Sequence, residues 1–95
     1  MRISGEQREL LTKNILALLP NAAIYLFGSR ADDNKKGGDV DIMVIADREL
    51  AWKEKSLIKN KYFEKFGEQK LDIVSFSFNE TDPFKQIAIN EGVKL

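Results

Sequence analysis

The sequence predicts a small α/β (α+β) domain spanning residues 1–95, in which helices flank a three-stranded mixed sheet in the order α-β-β-α-β-α. Three observations predict it. An N-terminal amphipathic stretch opens on a helix-capping signal. Two short apolar runs, residues 22–27 and 40–45, are separated by a polar, glycine-rich stretch. A long charged segment, residues 48–66, then leads to a third apolar run at 71–78, and its length suits a crossover helix between parallel strands.

Each element has its own justification. Ser4 with Gln7 three residues later has the form of a capping box, Leu11, Ile15, Leu18 and Leu19 recur at helical spacing, and Pro20 with Asn21 ends the helix. Residues 22–27 have no polar face and stop at Gly28, as a strand buried on both sides does. Residues 30–38 carry turn formers and predict a surface loop, with a short helical turn at 29–31. Residues 40–45 are β-branched and apolar apart from Asp41, which predicts strand two.

Asp47 suits the N-cap of a helix over 48–66, in which Leu50, Leu57, Ile58, Tyr62 and Phe66 can share a face, and Gly67 stands where a left-handed residue closes a helix. In strand three the two-residue period puts Asp72, Val74, Phe76 and Phe78 on one face and Leu71, Ile73, Ser75 and Ser77 on the other. Thr81 or Asp82 caps a last short helix with Pro83 near its first position, and Gly92 closes it.

Composition narrows the function. The 15 Lys and Arg balance the 15 Asp and Glu, so there is no polycationic field and no direct nucleic-acid binding is expected. The chain has no cysteine and no histidine, which excludes a disulfide framework, a Cys/His zinc site, a Ser-His-Asp triad and a Cys-His dyad. Any catalysis must use carboxylates, hydroxyls, cations and an imported metal. The apolar runs are about half the length of a membrane span and no hydrophobic leader opens the chain, so no membrane association and a cytoplasmic location are expected.

Chemistry concentrates in three places. Asp39 and Asp41 stand two apart at the start of strand two, so their carboxylates project from one face; strand-end solvation accounts for such a pair, and so does a bound cation. Gly28-Ser29 at the exit of strand one reads as an ordinary turn or as a phosphate cradle, with Arg30 adding charge. Asp72, near the start of strand three, reads as a solvated residue or as a third carboxylate of the same site. With strands two and three parallel and strand one antiparallel, all three groups reach one sheet edge. Such a set describes a site for magnesium and a nucleoside triphosphate.

Gly28-Ser29-Arg30-Ala31, then Asp39-Val40-Asp41-Ile42 after the intervening loop, resembles the G-S-x(n)-D-x-D signature of the DNA polymerase beta-like nucleotidyltransferases. The size and the closing Asn90-Glu91-Gly92-Val93-Lys94-Leu95 resemble the minimal (MNT) branch of that superfamily. The resemblance implies a nucleotidyltransferase fold in which Gly28 and Ser29 hold the triphosphate of ATP, Asp39 and Asp41 ligate Mg2+, with two ions possible, and Asp72 completes the metal and catalytic set. It also implies pairing with a HEPN-domain protein as the antitoxin of a toxin–antitoxin system, with AMP transferred from ATP to a hydroxyl of that partner. Gly38 stands where many relatives carry serine. Two other readings stay open: a catalytically silent partner that masks a HEPN-like protein, and a small-molecule nucleotidyltransferase whose acceptor domain a partner supplies. Trp52, Tyr62, Phe63 and Phe84 are candidates for an interface.

Overall fold

Ser4 opens the first helix as predicted: its hydroxyl accepts from the Gln7 amide at 3.0 Å while the Gln7 side chain accepts from the Ser4 amide at 2.7 Å. In the computed structural model, which describes residues 3–28, 39–67 and 70–95, this box starts α1 (Gly5–Leu18). The chain continues through β1 (Ala23–Phe27), β2 (Val40–Ala46), α2 (Trp52–Phe66), β3 (Leu71–Ser77), α3 (Pro83–Glu91) and β4 (Val93–Lys94).

The sheet runs β3-β2-β1-β4. As expected, β2 and β3 are parallel and β1 is antiparallel to β2. The expected three strands are corrected to four, because residues 93 and 94 pair antiparallel with Leu26 and Tyr25. Two residues carry no readable period, and β4 forms only because the chain leaves α3 against the free edge of β1. Gly92 makes that exit possible: a Cβ there would lie 2.5 Å from the Ala88 carbonyl oxygen and 2.8 Å from that of Leu26.

Alternation along the strands divides the core. Ile24, Leu26, Val40, Ile42, Val44, Leu71 and Ile73 face α1 and α2, where Leu11, Ile15, Ile58 and Tyr62 complete a buried cluster. Met43, Ile45 and Phe76 face the other way and pack with Ala88 of α3. Each such fully buried aliphatic side chain contributes roughly 1.5–3 kcal/mol. β1 is not buried on both sides as expected: Ile24 and Leu26 are buried, while Ala23, Tyr25 and Phe27 on the α3 side are only partly covered.

The second helix starts at Trp52 rather than at residue 48. Asp47 does not cap it. Arg48 instead forms a two-pronged bond to Glu54, at 2.7 and 2.9 Å, and Glu54 also accepts from the Ala51 amide at 2.8 Å, closing the helix start from inside. Leu50 is therefore buried in the connection before the helix, not on it, and Leu57 is exposed. The Leu50 amide donates to Ser75 Oγ at 2.8 Å, which explains the one polar side chain in the core among the described residues. Gly67 ends α2 at φ +82°, the positive φ anticipated there. Asp82, rather than Thr81, caps α3 by accepting from the Phe84 amide at 2.8 Å.

Candidate functional site

The parallel pairing of β2 and β3 sets Asp41 directly beside Asp72. Adjacent strands lie about 4.8 Å apart, so two carboxylates at one register position on one face are neighbours. Asp39 stands just before β2, and Lys70 just before β3. The Lys70 ammonium lies 3.5 Å from Asp39 Oδ2 and 3.9 Å from Asp72 Oδ2, tying the two strand starts together. Its carbonyl also accepts from the Val40 amide at 3.0 Å, so the backbone beneath this group belongs to the sheet ladder.

Electrostatics mark the same place. Burial raises the Asp41 carboxyl above its ordinary range, the neighbouring charges of Asp72 and then Asp39 raise it further, Lys70 pulls it back, and a hydrogen bond with Asp72 adds to the rise. An acidic pair held in register against its own repulsion is the arrangement a cation relieves.

Gly28 closes the edge from the other side. Phe27, the last residue of β1, pairs with Asp41, and the next residue turns through φ +73°. A Cβ on Gly28 would lie 2.5 Å from Asp41 Oδ2, so the bare backbone is needed both for the turn and for the carboxylate. Ser29 and Arg30, the predicted turn at 29–31 and the loop to Gly38 lie outside the described residues.

Of the predicted site residues, then, Gly28, Asp39, Asp41 and Asp72 are brought to one sheet edge. Among the described residues, no three acidic side chains are yet gathered closely enough to enclose an ion. Sequence reasoning missed Lys70, although its place two residues before Asp72 puts both on one face by the strand period. Of the interface candidates, Tyr62 is a core residue, fully buried, with its hydroxyl accepting from Gln7 Nε2 at 2.8 Å. Trp52 and Phe84 are exposed and Phe63 is partly buried.

Residues 12–95 match the family described as Polymerase beta, Nucleotidyltransferase. The chain belongs to that family. Solved structures agree with this nucleotidyltransferase fold. A chain of a mutant of the toxin–antitoxin pair MntA-HpeT superposes with a TM-score of 0.71 at 22% identity, covering 98% of this chain and 72% of that one. A chain of the complex between a tri-AMPylated HEPN toxin and an MNT antitoxin from Shewanella oneidensis gives 0.58 at 25% identity, over 93% and 70% of the two chains. A further Shewanella oneidensis protein gives 0.60 at 21% identity, over 97% and 71%. No curated protein matches the sequence. The chain is thus a nucleotidyltransferase-fold protein resembling the MNT antitoxins of HEPN toxin pairs. Among the described residues no helix is long and apolar enough to cross a membrane.

Proposed function

We propose that this nucleotidyltransferase transfers AMP from ATP to a hydroxyl of a HEPN-like partner protein and acts as the antitoxin of that pair. The observation that carries the reading is the register of Asp41 with Asp72, with Gly28 against Asp41. The complex of an MNT antitoxin with a tri-AMPylated HEPN toxin among its structural relatives supports the acceptor class.

The donor set fits magnesium. Hard carboxylate oxygens are what this ion prefers, and the burial and then the repulsion that lift the Asp41 carboxyl are costs a cation would offset. Asp39 and Asp41 would hold it, with Asp72 completing the set. When bound, magnesium neutralises triphosphate charge and favours ionisation of the acceptor hydroxyl.

The chain's own residues do the rest. Gly28, without a side chain, lets phosphate oxygens approach the backbone, and the Ser29 hydroxyl and Arg30 guanidinium supply donors for them. Asp72 accepts the proton of the acceptor hydroxyl. The hydroxyl oxygen forms its bond to the α-phosphorus as the bond from that phosphorus to the α,β-bridging oxygen breaks, and pyrophosphate leaves. No side chain becomes covalently attached, in keeping with a chain without cysteine or histidine.

The test incubates the chain with its co-purified partner, magnesium and ATP labelled at the α-phosphate. Label should pass to the partner, and Asp41→Asn, which removes charge with little change of volume, should reduce transfer at least about a hundredfold. A partner bound and silenced equally well without ATP and by Asp41→Asn would overturn transfer in favour of masking.

A further inference from the structure

A second chemical feature adjoins the carboxylate edge. Phe27 pairs with Asp41 across β1 and β2, and antiparallel partners place their side chains on one face. The ring of Phe84, from the first turn of α3, meets Phe27 edge-to-face, with centroids 5.3 Å apart and planes at 80°. Phe84 also leans on Phe76, 6.4 Å away at 40°. It nevertheless remains 40% exposed, whereas Ala88 one turn later is buried.

The start of α3 that carries Phe84 is held firmly. Asp82 caps it, and Lys85 Nζ donates to the carbonyls of Ser77, Phe78 and Glu80 at 3.2, 3.1 and 2.9 Å. An edge-to-face pair leaves most of its ring faces uncovered by one another, and a rigid, partly exposed aromatic face suits a flat ligand ring.

We infer that Phe27 and Phe84 form the stacking wall for the nucleobase of the triphosphate substrate, beside the carboxylates that face its phosphates. The inference rests on the nucleotide reading above and deepens it. Stacking reads the area of a ring rather than its hydrogen-bonding edge, so the wall favours purine over pyrimidine nucleotides. The base is the favoured occupant because Phe27 is the strand partner of Asp41, so a triphosphate held at Gly28 and Asp41 would carry its nucleoside close to this surface.

Calorimetric titration of the chain with ATP, CTP and inorganic tripolyphosphate, each with magnesium, tests this. Phe84→Leu keeps an apolar packing group but loses the ring, and Phe84→Trp enlarges it. ATP binding should weaken about fivefold or more in Phe84→Leu and hold or tighten in Phe84→Trp, and CTP should bind wild type several-fold more weakly than ATP. Tripolyphosphate should bind all three proteins alike. Equal ATP affinity in wild type and Phe84→Leu overturns the stacking wall, and so does a parallel fall in tripolyphosphate affinity. If Asp41→Asn abolishes binding of both ATP and tripolyphosphate while Phe84→Leu changes neither, the nucleotide site stands and the wall alone falls. If wild type binds neither ligand, both readings fall together.

Discussion

Replacing Gly28 by alanine imposes two separable penalties. The first is conformational: at φ +73° an L-residue is disfavoured by about 1–2 kcal/mol. The second is steric, because the new Cβ would lie 2.5 Å from Asp41 Oδ2, inside any tolerated carbon–oxygen contact. The carboxylate can swing away, but only by leaving the position it holds beside Asp72. For a chain of this size, 1 kcal/mol corresponds to about 4–8 °C in Tm. Gly28→Ala should therefore lower Tm by about 4 °C at the least, and by more while Asp41 is present. A double-mutant cycle measured by urea unfolding separates the terms: in an Asp41→Ala background the cost of Gly28→Ala should fall to the conformational part alone, about 1–2 kcal/mol. Magnesium-dependent ATP binding should be lost in Gly28→Ala to a degree that its stability does not explain. If the cost is the same in both backgrounds, Gly28 and Asp41 do not touch and the site's geometry as described is wrong.

Ser75→Ala should destabilise the fold by about 1–3 kcal/mol, read as a lower urea midpoint at unchanged slope, because the buried Leu50 amide loses its acceptor; an unchanged midpoint would remove Ser75 from the anchoring of the connection into α2. Glu54 supplies the pH prediction. The hydrogen bond from Arg48, then that from the Ala51 amide, holds its carboxyl at about 2 against an ordinary 4.5, so the stabilisation its charge provides is complete above pH 4.5 and drains away as pH falls through about 2. Wild type should be more stable than Glu54→Gln at neutral pH, with the gap in Tm narrowing between pH 4.5 and 2; a gap independent of pH would show that the charge is not what closes the start of α2.

Much of this architecture was legible because it is local. The Ser4–Gln7 box, the apolar runs and the Pro83 helix start each declare themselves within a few residues. Topology followed from one inference, that residues 48–66 cross over the sheet, and the register Asp41 with Asp72 is its consequence. What the local pattern does not reveal depends on distant partners. Asp47 satisfies the local rule for an N-cap, yet Arg48 and Glu54 find each other across the turn and start α2 at Trp52. Ser75 is buried among apolar residues because the Leu50 amide, 25 residues away, donates to it. β4 exists only through the exposed edge of β1, which no two-residue pattern announces. In the site, the carboxylates were legible by spacing, whereas the adjacency of Phe27 to Phe84 joins a strand end to a helix start 57 residues on and has no sequence signature.

The position of the carboxylates follows from what a sheet tolerates. Like charges directly opposite one another destabilise strand pairing, and a partly buried carboxylate adds a desolvation cost. Asp41 meets both conditions, yet its strand forms, because the next positions, Ile42, Met43 and Val44, are fully buried and hold β2 between β1 and β3. Lys70 offsets part of the repulsion while remaining largely exposed, and a mobile ammonium on a flexible stem can be displaced without rearranging the backbone. The antiparallel β1 brings Gly28, and the parallel β3 brings Asp72, to the end of β2 where Asp41 is only partly buried. Moving the acidic pair two residues inward, to Met43 and Val74, would set it in the cluster packed against α3, where Met43 is fully buried. Among the described residues, this end of the sheet sets Asp41 and Asp72 close enough to work together and leaves them open enough to be approached.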